Sequence, residues 1–537
     1  MERPRTKQVC TIGPASADVI AELVTGGMDV ARINFSHGTA EEHKTYVHAV
    51  RAAAHSARRS VAVMVDLPGP KLRLGELVGG QVHLTTGAAF TLRALPGEPM
   101  PVAVAAVVEV IEVAEVAEVA EVAEVAEVAE AEEDQASEPA ASEEHVTEST
   151  FALPEADTTG HTHADTSAIG DATGALVRGA HLATVLQVGD RVLLADGAAE
   201  LKVSAIEGSE VLTEVVSGGL IRSRCGVSIP SGRFGDGGLT DADRAAVPRA
   251  LVLRVDLLAQ SFVRSAADVH TLRALLPTDG PRVVAKIETR AALDDFDAIC
   301  AASDGIMVAR GDLGVDVPFE SVPMIQKDLV RRATAAGRFS IVATQMLESM
   351  TGSPRPTRAE ASDVANAVLD GADAVMLSAE TAIGAHPVEA LSAMERICRA
   401  AELPHAVHTA QPADPSAALV LAAATLAASG GVSGIWCFTR SGRTAELLSL
   451  YRPPVPVVAF TLSPIVARRL AVRSGVIPLV LPAGAKNSPL IEQMEGAWRA
   501  QRSGADHDTV LLLTTSSQPQ GINRLEIHRL SGSGRGK

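Results

Sequence analysis

Arg358 to Ala382 reads "RAEASDVANAVLDGADAVMLSAETA". Its first half carries alanine and valine at helical spacing and ends in Asp-Gly, a common way for a helix to stop. Its second half, "AVML", is a short continuous aliphatic run that ends in serine, glutamate and threonine. Seven other runs share that texture: "QVCTIGP", "DVARINFSHG", "VAVMVDLPGPK", "LLAQSFVR", "RVVAKIE", "GIMVARGDLG" and "SIVATQM". Most are followed by a helix-like stretch such as "SADVIAELVTGG". Aliphatic strands alternating with helices are parallel strands buried on both faces. Eight such units predict an α/β chain built on a (β/α)8 barrel, with its site at the C-terminal strand ends. All eight runs end there in reactive or phosphate-binding residue types.

Residues 76–235 interrupt the pattern after the third run. Short alternating segments, "QVHLTTG", "RVLLADGAAELKVSAI" and "VLTEVV", are separated by Gly-Asp and Asp-Gly turns. That predicts a small inserted β-barrel. The barrel proper is then assigned to residues 1–75 and 236–404, an open α/β domain to 405–530, and a disordered tail to 531–537. Inside the insertion, Glu112 to Glu130 repeats Glu-Val-Ala every three residues. Period three drifts about 60° per repeat on a helix, so no apolar face forms. On a strand it sends the glutamates alternately to opposite faces. Residues 98–150 are therefore expected to be a solvated low-complexity insertion, a frayed helix or disorder. An acidic tether is the functional alternative.

The net charge of −18 looks strongly acidic, but 98–150 holds sixteen Asp and Glu and no Lys or Arg. The remaining chain is close to neutral. No basic stripe with interleaved aromatics supports nucleic-acid binding. Five scattered cysteines without CxxC spacing read as reduced thiols. The N-terminus lacks an apolar core segment and no run approaches a membrane span, so a soluble, cytoplasmic protein is expected, with neither nucleic acid nor membrane as partner.

Chemistry gathers at the strand ends. Lys286 and Glu288 lie two apart on the fifth run and face one side. Asp312 follows in a Gly-Asp-Leu-Gly turn after the sixth. Two carboxylates of this kind suit Mg2+ or Mn2+, which keep water and substrate oxygens as further ligands. Arg32, Asn34 and Ser36 alternate on the second run. Arg32 and Arg73 are forked donors suited to phosphate or carboxylate. Thr344 ends the seventh run, and Ser378 and Glu380 the eighth. "FTRSGRTAELL" places Thr439, Ser441, Gly442 and Thr444 before a helix, a phosphate-site arrangement that an ordinary N-cap would also explain. His161 and His163, in "HTH", have no carboxylate partners nearby in sequence and read as a surface accident.

With these motifs in order the chain resembles the pyruvate kinase family, from "TKQVCTIGPAS" to "GINRLEIHRL". The run Arg355 to Gly384 is by itself specific for that family, whereas the acidic repeat is foreign to it. The resemblance implies phosphoryl transfer from phosphoenolpyruvate to ADP, a lid formed by the inserted domain, and a homotetramer. It implies that Glu288 and Asp312 hold Mg2+ or Mn2+. Lys286 would neutralise the transferring group, Arg73 bind the substrate phosphate, and Arg32, Asn34 and His37 the nucleotide side. The amides of Gly311 and Asp312 would seat the substrate carboxylate. Thr344 would pass a proton through water, with Ser378 further along the relay. The 439–444 loop would receive a sugar-phosphate effector. "LLADG", with Asp196, matches the family's lid, whereas "SRCGVSIPSG" lacks the family's usual lysine and asparagine.

The turn "DLPGPKLRLG", Asp66 to Gly75, departs from many family members. Those members hold a potassium ion at positions matching Asn34, Ser36, Asp66 and, through a threonine, Leu67. They carry glutamate where this chain has Lys71. A leucine offers no side-chain oxygen, and a fixed ammonium supplies the ion's charge, so the resemblance implies that potassium is not required. An impaired ligand-sensing protein and a metal-dependent aldolase acting on pyruvate are the other classes considered. The intact Lys286, Glu288, Asp312 and Thr344 weigh against the first. The Arg355–Gly384 run weighs against the second.

Overall fold

A computed structural model describes residues 3–70, 72–94, 170–178, 182–229, 239–402, 412, 414–482, 489–501, 509–514 and 524–530. Lys71, His161, His163, the acidic repeat and the tail 531–537 lie outside the described residues.

The eight aliphatic runs form eight strands: β1 (Lys7–Ile12), β2 (Val30–Asn34), β3 (Ala62–Asp66), β4 (Leu257–Gln260), β5 (Arg282–Ile287), β6 (Gly305–Ala309), β7 (Phe339–Ala343) and β8 (Ala374–Leu377). Each pairs in parallel with its neighbours, and β8 returns to β1 to close the barrel. Their continuous apolarity has two causes. Val30, Met64, Val284, Met307, Ile341 and Met376 fill the bore. Val63, Val283, Ile306, Val342 and Val375 pack outward under the helices. The helix Arg358–Leu369 starts on a capping box in which Thr357 and Glu360 satisfy each other's backbone amides.

The bottom of the barrel repeats one device four times. Asp29, Asp256, Asp304 and Asp373 each precede an even strand. Each backbone amide donates to the carbonyl of Gln8, Val63, Val283 or Ser340 on the preceding odd strand. Each carboxylate accepts the amide of that same residue at 2.8–3.1 Å. The even strand starts later than its neighbour, so the aspartate side chain stands in for a missing backbone acceptor. Every one of these carboxylates also holds an arginine: Arg59, Arg51 with Arg468, Arg273 with Arg282, and Arg452.

After β3 the chain enters a second closed barrel. Its seven strands run in the order Glu210–Ser217, Ala89–Ala94, Gly174–Arg178, Leu72–Leu74, Gly226–Ser228, Arg191–Leu194 and Ala199–Glu207. Phe90, Leu92, Leu201 and Val211 sit in its core. Arg73 therefore belongs to a strand of the smaller barrel, not to a strand end of the larger one.

The C-terminal region forms a five-stranded sheet of β9 (Gly434–Phe438), β10 (Val457–Thr461), β11 (Val476–Val480), β12 (Thr509–Thr514) and β13 (Arg524–Arg529). The order is β11-β10-β9-β12-β13, parallel except at β13. It seats on the barrel bottom, where Ala471 and Val472 join the side chains of the bore. Lys7 Nζ donates to Val476 O at 2.7 Å, and Arg473 stacks over Phe339 at 5.1 Å. Arg468 and Arg452 of this region are among the arginines held by the bottom aspartates. No described helix is long and apolar enough to cross a membrane.

Burial alone would raise the Asp304 carboxyl, but the Val283 amide and the guanidinium groups of Arg273 and Arg282 hold it below the usual range. A depressed folded value contributes stability above the unfolded value, about 4, and that stability is lost as pH falls through the folded value. Asp304→Asn is expected to cost about 2 kcal/mol at neutral pH, because Arg273 loses its carboxylate and Arg282 keeps only Glu446 at 3.8 Å. It should also flatten the acid limb of a stability-versus-pH curve. Chemical denaturation at pH 7 and below pH 4 measures both effects; an unchanged midpoint at pH 7 would contradict the assignment.

Candidate active site

Asp66 ends β3 and is 1% exposed. Lys286 of β5, one strand away beyond β4, reaches it, Nζ to Oδ1 at 3.2 Å, and pairs with Glu288 Oε1 at 2.9 Å. The same ammonium donates to Ser261 Oγ at 2.8 Å. The single proton of Ser261 lies between Leu67 O at 2.8 Å and Asp66 Oδ1 at 3.1 Å. On the other side Arg32 Nε donates to Asp66 Oδ2 at 2.9 Å, and Nη1 donates to Thr11 Oγ1 at 3.0 Å. Both oxygens of Asp66 are thus occupied by cations. Glu288 is equally buried, its Oε2 accepting the Phe262 amide at 2.7 Å.

The charges explain the titration of the cluster. Burial alone would lower Lys286, but Asp66 and Glu288 hold it above the ordinary lysine value. Burial would raise Asp66, whereas Lys286 and Arg32 pull it below the usual carboxylate range. Glu288 moves upward, first through burial and then through the nearby charges of Asp312 and Asp66, with Lys286 opposing. Lys286 is therefore a fixed cation, and Glu288 is the carboxylate least content with its charge. A divalent ion relieves that situation directly. Glu288 Oε1 is buried and takes no aligned hydrogen bond, which leaves a lone pair for a metal. Among the described residues no three histidine, cysteine or carboxylate side chains converge on one point. Glu288 Oε1 can thus serve as one oxygen ligand of a divalent cation that takes its other ligands from water and substrate, and Asp312 is the further carboxylate whose charge acts on Glu288.

Thr344 lies at the rim, just past β7. Its hydroxyl donates to Ala343 O at 2.6 Å and accepts the Gly311 amide at 2.8 Å. Gly311 and Asp312 lie in a short helix, Arg310–Asp316, rather than the open turn expected from Gly-Asp-Leu-Gly. The Ser378 amide donates to Glu380 Oε2 at 2.7 Å, and the buried Ser378 hydroxyl finds no partner. Asn34 ends its strand, so the alternation through Ser36 stops: the Ser36 amide turns back onto Asn34 Oδ1 at 3.1 Å. His37 follows in that turn and meets Arg73 of the smaller barrel, Nε2 to Nη2 at 3.4 Å.

The large barrel and the C-terminal sheet both have counterparts among known proteins. The model of the pyruvate kinase barrel domain matches residues 3–136 and 109–391, and that of the pyruvate kinase alpha/beta domain matches 417–528. A pyruvate kinase of Mycobacterium tuberculosis H37Rv is 35% identical, over 98% of each chain. That of Mycobacterium intracellulare is 36% identical over the same shares. That of Geobacillus stearothermophilus is 34% identical over 98% of this chain and 80% of its own. The chain belongs to the pyruvate kinase family.

For a pyruvate kinase relative, the structure gathers Lys286, Glu288 and Arg32 around Asp66, and Thr344 beside Gly311. It keeps the 439–444 loop apart from them in the C-terminal domain. There Thr439 turns its hydroxyl to the loop's own Gly442 amide at 2.9 Å, and Gly442 takes φ +92°. Ser441 remains exposed and Thr444 half-buried. Three residues escaped the sequence reading: Ser261, Arg310 and the hub role of Asp66. Ser261 follows a strand end in "LLAQSFVR", the one signal that could have marked it.

Ser261→Ala removes the group that accepts from Lys286 and donates toward Asp66, without altering charge. A drop of roughly tenfold in kcat is expected, with a melting temperature close to the wild type. Steady-state kinetics beside a thermal melt checks this; unchanged kcat would make the hydroxyl incidental.

Proposed function

We propose that the chain moves the phosphoryl group of phosphoenolpyruvate to ADP through the Lys286 cluster, and that it does so without potassium. Membership of the pyruvate kinase family makes it a phosphotransferase of the last step of glycolysis. The observation that carries the residue assignment is the buried Lys286 ammonium held between Asp66 and Glu288.

In this reading the bond from phosphorus to the enol oxygen breaks as a terminal phosphate oxygen of ADP attacks in line. The enolate left behind takes a proton at its methylene carbon to give pyruvate. Such a transfer is positioning and charge neutralisation more than covalent chemistry. Lys286 neutralises the bridging oxygen and the enolate that follows. Arg32 has five N–H donors and spends three of them within the protein. Two remain for phosphate oxygens. Arg73 and His37 bring the smaller barrel and the large one to the phosphate side, with Asn34 beside them. A divalent ion on Glu288 and Asp312, when bound, polarises phosphate and enolate oxygens. The Gly311 and Asp312 amides receive the substrate carboxylate; for Gly311 this requires the Thr344 hydroxyl to share or give up that amide. Thr344 is too weak an acid to be the proton's source, so it relays one through water, with Ser378 behind it. The sugar-phosphate effector on Ser441, Gly442 and Thr444, with Thr439 as their internal support, the homotetramer and the cytoplasmic location belong to the same reading. So does the lid role of the inserted domain, residues 76–235.

Two features support potassium independence. Both Asp66 oxygens already carry cations, and Leu67 presents a buried aliphatic side chain and a carbonyl taken by Ser261. From the sequence alone, Lys71 adds a positive charge five residues after Asp66.

Lys286→Met and Glu288→Gln should each lower kcat by about a thousandfold in a lactate dehydrogenase-coupled assay with phosphoenolpyruvate, ADP and Mg2+. Full turnover by either variant would refute the assignment. With tetramethylammonium as the sole monovalent cation the wild type should keep its activity, and Lys71→Glu should become slower or respond to added potassium. A strong potassium requirement of the wild type would overturn that part.

A further inference from the structure

Thr344 and Gln345 have φ of +69° and +53°. Two successive non-glycine residues in the left-handed region are unusual, and a β-branched threonine there is an outlier. Such a conformation costs roughly 1–3 kcal/mol per residue and persists only where its surroundings impose it. The imposing group is Arg310, the residue that opens the helix after β6.

Its side chain is 9% exposed and its guanidinium spans both strained residues. Nη2 donates to Thr344 O at 2.7 Å and to Gln345 O at 3.0 Å, while Nε donates to Thr344 O at 3.2 Å. The fork is anchored from behind: Nη1 donates to Asp363 Oδ2 at 2.6 Å and points to Gln326 Oε1 at 3.5 Å. Gln326 is in turn tied to Asp370 at 2.9 Å. The next amide in the chain, that of Gly311, holds the Thr344 hydroxyl. One residue thus fixes the threonine backbone, and its neighbour fixes the threonine side chain. The mouth of the proposed site contains Lys286, Glu288 and Asp312, whereas the ion pair of Arg310 is with Asp363.

We infer that Arg310 is a positioning residue for the proton-transfer half of the reaction. Its planar fork clamps the Thr344–Gln345 backbone in the strained form that aims the Thr344 hydroxyl at the methylene carbon of the enolate. The inference rests on the relay role proposed for Thr344. Charge alone does not meet the requirement. A lysine keeps the positive charge but has one nitrogen, which cannot meet two carbonyls and Asp363 in one plane. Asp363 sets the angle of the fork and shares the function at one remove.

The test is exchange of the pyruvate methyl protons into D2O, followed by proton NMR with the full-length protein, pyruvate, Mg2+ and inorganic phosphate. Thr344→Ala should slow exchange at least about tenfold. Arg310→Lys should slow it comparably and lower kcat, with KM for phosphoenolpyruvate within about threefold of wild type. Asp363→Asn, which leaves Arg310 in place, should show a smaller loss of about two- to fivefold. In the Thr344→Ala background, Arg310→Lys should add less than about twofold, because both act through one hydroxyl. Losses that multiply, or a lysine that restores full exchange, would overturn the inference while leaving the relay intact. Wild-type exchange in Thr344→Ala would sink the relay reading, and this inference with it. If Arg310→Lys does not fold, as a thermal melt reports, Asp363→Asn decides: undiminished exchange in that variant refutes the clamp.

Discussion

A lysine ammonium and an aspartate carboxylate, both buried at the top of a barrel, set the terms for the rest of the site. Neither charge is tolerable alone in that environment, and removing one partner of such a pair is strongly destabilising. Lys286 therefore needs Asp66 and Glu288, and Asp66 needs Arg32 as well. Burial and the charges of Asp312 and Asp66 push the Glu288 carboxyl upward, with Lys286 opposing. The same cluster leaves Asp66 with no oxygen to spare for a monovalent ion. The proposed roles of the site, a divalent ion at Glu288, no need for potassium and a fixed cation for the transferring phosphoryl group, all rest on this one arrangement of four charges.

The opposite end of the barrel uses the same chemistry for a different purpose. Four aspartates close the staggered starts of the even strands, and four sets of arginines cover them. Two of those sets bring in Arg468 and Arg452 from the C-terminal domain. Ion pairs buried under a domain junction give it a defined seat, because each arginine must find its own carboxylate. The strand that bears Lys286 begins at Arg282, which pairs with Asp304 and lies 3.8 Å from Glu446 of the C-terminal domain. The two ends of β5 thus carry the junction and the reacting cation.

Much of this was legible in the sequence because it repeats locally. Eight aliphatic runs with helices between them dictate the barrel, and Lys286 with Glu288 betray themselves by spacing of two. What sequence could not supply is contact between residues far apart in the chain. Asp66 and Lys286 are 220 positions apart, and the aspartate reads in the sequence only as matching a potassium-ligand position of the family. Ser261 and Arg310 do their work through hydroxyl and guanidinium contacts that no periodicity marks. Arg32 reads in the sequence as a forked donor for phosphate or carboxylate; which carboxylate it meets, Asp66, appears only in the fold, with Thr11 taking a further donor. The 439–444 loop reads in the sequence as a phosphate site or an ordinary cap, and in the fold the Thr439 hydroxyl accepts the loop's own Gly442 amide. Residues at strand ends announce that a site exists; which charges neutralise which is decided only by closure of the barrel.

The central claim is that the Asp66 charge, not merely its shape, holds Lys286 and Arg32 ready for the phosphoryl group. Asp66→Asn keeps the shape and removes the charge. Its turnover with phosphoenolpyruvate, ADP and Mg2+, measured beside a thermal melt, tests that claim most directly. The account predicts a protein that still folds, because Glu288 keeps Lys286 paired, but with a lower melting temperature and a kcat at least about a hundredfold down. A folded variant with near-wild-type turnover would contradict it.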